Sequence, residues 1–186
     1  MLYDEGIRGR SVLTMAPAQK KVVLRTFAGT LAWGYLPQGG FVSDGAIDLI
    51  GVDGRITSFL INTIKRIAYV RDFNLNDPSD PERIGRMVFA ARPRGDGVWL
   101  KLSFLDDEVL EGLTTIDLAF TDSLLDDQGL FLTPPDPRAN TQRLFVPRPA
   151  LKSLEVLGFV TAPSKRLAAK PRFRVTPDTQ SNLFGE

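Results

Sequence analysis

The chain has 186 residues, 43% of them hydrophobic and 24% charged, with a formal net charge of +1. That composition suits one ordinary globular domain or two small ones, and no apolar run reaches the ~18–20 residues that a membrane-spanning helix needs. The chain contains neither cysteine nor histidine, which excludes disulfides, thiol nucleophiles, Cys/His zinc sites and serine–histidine triads. It also lacks the one side chain that titrates unperturbed near neutral pH. The expectation is therefore a non-enzymatic protein without catalytic residues, metal or cofactor. The start "MLYDEGIRGRSVLTMAPAQKK" has no basic stretch followed by an apolar one, so the expected compartment is the cytoplasm, with no membrane partner.

In chain order, residues 1–19 show no sustained periodicity and are expected to be disordered, with Met15 as an alternative start. From Lys20 the pattern turns to strands. "KVVLRTF" (21–27) and "TLAWGYL" (30–36) flank a short turn, and "AIDLIG" (46–51) and "ITSFLI" (56–61) flank "VDG", both as hairpins. "IKRIAYVRDF" (64–73) alternates as a further strand. The polar, proline-bearing "NLNDPSDPE" (74–82) reads as a linker or long loop. Strands resume at "GRMVFAA" (85–91) and "VWLKLSF" (98–104), then at "EVLEGLTTIDLAF" (108–120), "GLFLTP" (129–134), "QRLFVP" (142–147) and "LKSLEVLGF" (151–159). A helix over 148–156 is a minor alternative. Short strands separated by Gly, Pro and Asp point to a barrel or sandwich.

The halves also resemble each other. "VVLRTFAGTLAWGYL" (22–36) parallels "WLKLSFLDDEVLEGL" (99–113), with one extra residue in the second turn, and "FLINTIKRIAYV" (59–70) parallels "FVPRPALKSLEVL" (145–157), again with one extra residue. Agreement of order and spacing predicts an internal duplication. The expected fold is all-β, two tandem small β-barrels with a disordered basic C-terminal tail. Its boundaries are a disordered segment at 1–19, a first barrel at 20–76, a linker at 77–84, a second barrel at 85–160 and a flexible tail at 161–186. This arrangement, with "GLFLTPPDPRANTQRLFVPRPALKSLEVLG" as its most specific stretch, resembles a bacterial family of tandem small β-barrels, similar in general form to Sm-like and PilZ-like folds. The resemblance implies a fold and no activity.

Three chemical candidates fail on spacing. "QGLFLTPPD" resembles the strand that precedes cyclic-di-GMP contacts in PilZ domains, but the Arg-x-x-x-Arg and [Asp/Asn]-x-Ser-x-x-Gly patterns are missing, and Arg83 and Arg86 stand one residue too close. Asp72, Asn74 and Asn76 match the opening of a calcium loop. Asp77 then occupies the glycine position and Arg83 the position of the closing glutamate. The acidic runs at 106–108 and 126–127 read as solvated turns rather than as carboxylates converging on a substrate. Arg25, Lys65, Arg66 and Arg71 could line a nucleic-acid-binding stripe, but Lys65 and Arg66 fall on opposite faces of their strand.

The tail carries Lys165, Arg166, Lys170, Arg172 and Arg174 against Asp178 and Glu186, making it basic while the body is mildly acidic. Its composition predicts a flexible tether. At its end, "QSNLF" (180–184) resembles the bacterial sliding-clamp-binding peptide, with Gln180, Leu183 and Phe184 at the diagnostic positions and Ser181 where Leu is commoner. The resemblance implies that Leu183 and Phe184 fill an apolar groove on the DNA sliding clamp while the Gln180 carboxamide sets the register. The five basic residues upstream would add weak contacts to DNA. In the competing reading, Leu183 and Phe184 fold back onto a barrel edge. The expected function is an adaptor that docks on the clamp through this peptide while the body binds another partner. The alternative is a regulatory module that senses a ligand or binds nucleic acid, with the tail incidental.

Overall fold

The computed structural model describes residues 19–37, 41–77, 79–115, 128–136 and 138–161. Within these described residues the chain forms eleven strands. They are β1 (Gln19–Thr26), β2 (Leu31–Pro37), β3 (Val42–Ser43), β4 (Ala46–Gly51), β5 (Ile56–Leu60), β6 (Ile64–Val70), β7 (Gly97–Phe104), β8 (Val109–Thr114), β9 (Gly129–Leu132), β10 (Thr141–Pro147) and β11 (Leu151–Val160). Short 3-10 turns at Ile61–Thr63 and Arg148–Ala150 lead into β6 and β11. The fold is all-β, and every strand pairing is antiparallel. Residues 85–91, expected as a strand, form no strand. Their backbone meets β8 only locally, where the Glu111 amide donates to the Met87 carbonyl at 2.7 Å.

The larger sheet runs β3-β4-β2-β1-β6-β10-β9, with β5 on β4, and the smaller runs β11-β7-β8. A bridge between Leu113 and Thr133 links β8 to the chain leaving β9. One pairing scheme occurs twice. β1 pairs with β2 and β6 as β7 pairs with β8 and β11, and β4 pairs with β5 as β9 pairs with β10. The hairpin turns correspond as well. The Thr26 amide donates to the Thr30 carbonyl at 3.0 Å, and the Phe104 amide donates to the Glu108 carbonyl at 2.9 Å. Gly29 (φ 83°) and Asp107 (φ 63°) hold the same left-handed position in the two turns. The correspondence needs no extra residue in either stretch, unlike the pattern read from the sequence.

The expected closed barrels are not what the strands build. Closing the first half would require β6 to return to β5, and closing the second would require β11 to return to β10. The two edges needed, one on β6 and one on β10, are instead spent on each other. Ala68 faces Leu144 and Ile67 faces Phe145, joining strands of both halves in one sheet.

Side chains alternate across this shared sheet, and both of its faces are covered. Val23, Ala68, Val70, Leu144 and Val146 point into a core completed by Val98, Leu100, Leu102, Phe104 and Leu110 of the small sheet. Val22, Leu24, Ile67, Tyr69 and Phe145 point the other way, against Leu36, Ile47 and Leu49. Strands covered on both faces read as near-continuous apolar runs, which accounts for "VVL", "RIAYV" and "LFV". Phe145 belongs to the second half but packs among first-half residues, so its loss is felt across the joint. Phe145→Ala is expected to cost about 3–5 kcal/mol and to shift one cooperative urea transition as a whole. Two separate transitions, only one of them moved, would contradict the shared core.

Candidate functional site

The described residues hold two concentrations of polar side chains, one sealed and one open. The sealed one is centred on β6. Its Arg66 donates from Nε to Glu82 Oε1 at 3.2 Å and from Nη2 to Glu82 Oε2 at 2.9 Å, and from Nη1 to Glu108. Arg25 on β1 donates to the same Glu82 from Nε at 3.0 Å. Lys65 donates to Asp106 and, at 2.7 Å, to Glu108 Oε2. Three cations thus meet three carboxylates. Glu82 is only 1% exposed, a burial that a carboxylate tolerates only when paired.

The pKa directions follow from this geometry. Burial acts to lower Arg66, but the hydrogen bond and charge of Glu82, reinforced by Glu108, leave it raised. Burial acts to raise Glu108, but its hydrogen bond to Lys65 and the charges of Arg66 and Lys65 hold it below the ordinary carboxylate value. The hydrogen bond from Lys65 lowers Asp106 in the same way.

These contacts correct two expectations. Arg25, Lys65 and Arg66 are not an exposed stripe for nucleic acid, because their charges are already spent inward. Lys65 and Arg66 start on opposite faces of β6, yet their long side chains converge on one acceptor, Glu108, which with Asp106 leaves the class of merely solvated turn residues. Arg71 lies past the end of β6, bonded through its backbone to Asn140 and through its side chain to the Arg138 carbonyl. The calcium-like loop is also committed elsewhere. The Asp72 amide and carbonyl both bond the Asn140 side chain, Asn74 reaches the Pro81 carbonyl, and the Asp77 carboxylate accepts from Ser79 and Arg83. Among the described residues no group of three carboxylates is placed to hold a metal. Gln180, Leu183 and Phe184, together with Lys165, Arg166, Lys170, Arg172 and Arg174, lie outside the described residues, as do Asp126 and Asp127.

The open concentration was not visible in the sequence. A pocket of about 250 Å³ is lined by Lys20, Lys21, Tyr69, Val70, Gln142 and Arg143, contributed by three adjacent strands. On β6, Tyr69 faces Val22 of β1 and Arg143 of β10. The β6–β10 register breaks between Thr141 and Arg143, so Gln142 sits in a bulge, a device that re-aims side chains at a sheet's working edge. The Tyr69 ring belongs to the apolar core and lies 6.0 Å from Phe131. Its hydroxyl is buried and has no hydrogen-bond partner. Burial pushes the Tyr69 phenol up to about 12, against the opposing charge of Arg143, so it is neutral and can donate. The Arg143 guanidinium lies 4.0 Å over the Phe131 ring. Lys21 pairs with the exposed Asp72 at 3.7 Å and lies 5.4 Å over the Phe73 ring. These residues form three dipeptides far apart in the chain, and the β1–β6 and β6–β10 pairings together make them neighbours.

Such a site lies on an all-β protein whose two similarly paired halves share a central sheet. By sequence, the chain belongs to the family of unknown function DUF6982, whose model matches residues 18–158. Neither a curated protein nor a solved structure matches the chain.

Two outcomes test the sealed network. Glu82→Gln leaves Arg66 and Arg25 short of a counter-charge in a buried place and is expected to cost about 3–5 kcal/mol in urea unfolding. A loss within error of zero would mean that solvent screens the pair. Because Glu108 and Asp106 are held below their ordinary values, their stabilising share is complete above about pH 4.5 and is lost as pH falls through their lowered values. Glu108→Gln should therefore lower the neutral-pH plateau and flatten the acid limb of stability plotted against pH. An unchanged acid limb would refute the assignment.

Proposed function

We propose that this protein is a non-enzymatic cytoplasmic adaptor that docks on the bacterial DNA sliding clamp through its C-terminal QSNLF peptide while the β-sheet body engages a separate partner. The observation that carries this reading is the residue pattern at 180–184, with Gln180 followed after two residues by the adjacent pair Leu183 and Phe184. A polar anchor beside two large apolar side chains suits a preformed groove. Burying that pair is worth roughly 3–6 kcal/mol before ordering costs, which leaves a micromolar-range interaction. Lys165, Arg166, Lys170, Arg172 and Arg174 would add a weak, salt-sensitive attraction to the DNA that the clamp encircles. The inward pairing of Arg25, Lys65 and Arg66 favours this division of labour, since it leaves the tail as the main basic segment.

The body is read as a duplicated small-barrel unit whose two copies opened and joined through β6 and β10. Supporting this are the repeated pairing scheme and the matched turn hydrogen bonds. The Phe27 amide also donates to the Thr63 carbonyl as the Leu105 amide donates to the Ala150 carbonyl.

Fluorescence anisotropy of a labelled 176–186 peptide against purified clamp tests the docking. The native peptide should bind saturably in the micromolar range, and one carrying Gln180→Ala, Leu183→Ala and Phe184→Ala should not. Equal binding by the two peptides ends the proposal.

A further inference from the structure

We propose that the pocket formed by Lys20, Lys21, Tyr69, Gln142 and Arg143 is a binding site for the dianionic phosphoryl group of a small solute, either a phosphomonoester or free phosphate. The inference goes beyond the adaptor reading and stands without it, since no residue of the C-terminal peptide takes part.

Chemical complementarity comes first. The polar residues that line the pocket are two lysines, an arginine, a glutamine and a tyrosine. Their donors are many, and no carboxylate lines the pocket to compete for them. A dianionic phosphoryl group offers three acceptor oxygens that share two negative charges, and a guanidinium presents its fork to that geometry better than any other side chain does. No described carboxylate forms an ion pair with Lys20 or Arg143, and the described ion-pair partner of Lys21, the exposed Asp72 at 3.7 Å, is held weakly enough to be displaced.

Tyr69 is the second observation. Its side chain is nine-tenths buried, at 9% exposure, yet its hydroxyl has no partner. Buried polar groups are nearly always hydrogen-bonded, and an exception asks for an explanation. Phenylalanine would fill the apolar part of this position without that cost. Tyr69 is among the residues that line the basic pocket, so an acceptor that arrives with a ligand would explain the retained hydroxyl.

Preorganisation is the third. Stacking on Phe131 at 4.0 Å holds the Arg143 guanidinium, and the bulge places Gln142 among the lining residues. Groups fixed before binding lose less freedom when the ligand arrives. Size sets the class of ligand. A pocket of about 250 Å³ falls below the roughly 300–1,000 Å³ typical of sites for larger organic ligands, which suits a phosphoryl group with a short substituent better than an extended nucleotide.

The experiment is isothermal titration of the full chain with inorganic phosphate and, separately, with glycerol 3-phosphate, using glycerol and a short single-stranded oligonucleotide as controls. Saturable binding of either phosphate probe, with none of glycerol, is expected, and the tighter of the two identifies the source of the phosphoryl group. Tyr69→Phe should weaken that binding about tenfold, the worth of one hydrogen bond to a charged group, while leaving stability unchanged or raised because the hydroxyl has no partner to lose. Arg143→Gln should weaken it by at least as much. Deletion of 176–186 should leave it unaltered, which separates this result from the clamp experiment. No binding of either probe at millimolar concentration overturns the proposal. So does binding that survives both substitutions, and so does an oligonucleotide that binds more tightly than both small probes.

Discussion

The strand Ile64–Val70 is the constraint on which the rest of this fold depends. It pairs with β1 on one side and β10 on the other, and all seven of its residues are buried. A buried strand must satisfy its backbone groups on both edges, and here each half of the chain supplies one edge. Giving the second edge to β10 keeps the first half from closing on β5 and leaves β10 without an edge for β11. Both halves therefore remain open, and their apolar faces merge into two cores on either side of one sheet. The joint is not a surface contact between finished domains. It is the centre of the molecule.

A strand so placed has no room for uncompensated charge, yet β6 carries Lys65 and Arg66 side by side. Their neutralisation ties distant segments to the joint. Glu108 comes from the β7–β8 hairpin and Glu82 from the segment between β6 and β7, and Glu82 also receives Arg25 from β1. The backbone around Glu82 is fastened too, since Thr141 of β10 donates its hydroxyl to the Glu82 carbonyl at 2.7 Å and Asn140 reaches the Pro81 carbonyl. Buried ion pairs add little net stability over apolar replacements, but losing one partner is costly. The network is best understood as fixing position: it locks one arrangement of β1, β6, β10 and the 79–84 segment.

Local regularities in the sequence carried much of this structure. Hairpins at 21–36 and 46–61 stand where Gly, Asp and β-branched runs indicated, and β10 and β11 lie within a residue or so of their expected limits. The two halves share a pairing scheme, but their turns correspond a residue away from the alignment that shared apolar letters suggest in each stretch. Long-range choices were hidden. Nothing in "IKRIAYV" or "QRLFVP" says that the two strands pair with each other, because an apolar run fits any interior neighbour. Glu82 was hidden as well. In "NDPSDPE" it has the composition of a solvated loop, and only its partners, 16 and 57 residues away in the chain, make it a core residue. Residues 85–91 erred in the opposite direction, with strand-like composition but only a local backbone bond to β8, from the Glu111 amide to the Met87 carbonyl.

The basic pocket follows from the same joint. Lys20 and Lys21 enter on β1, Tyr69 stands on β6, and Gln142 and Arg143 arrive on β10, so neither half alone contains the site. Its position at the end of β6 also explains how it escapes the fate of the sealed network. Toward Ile64, the acidic β7–β8 turn and Glu82 neutralise the cations of β1 and β6. Toward Val70, no carboxylate lines the wall, and the bulge at Gln142 holds the strands out of regular register. One strand thus carries a filled charge cluster at one end and a cationic pocket at the other, with the apolar residues Ile67 and Ala68 between them. The ion network ties β1 to β6 through Glu82, and the Thr141 hydroxyl on the Glu82 carbonyl ties β10 to the same segment, so the three strands that carry the pocket share one anchor.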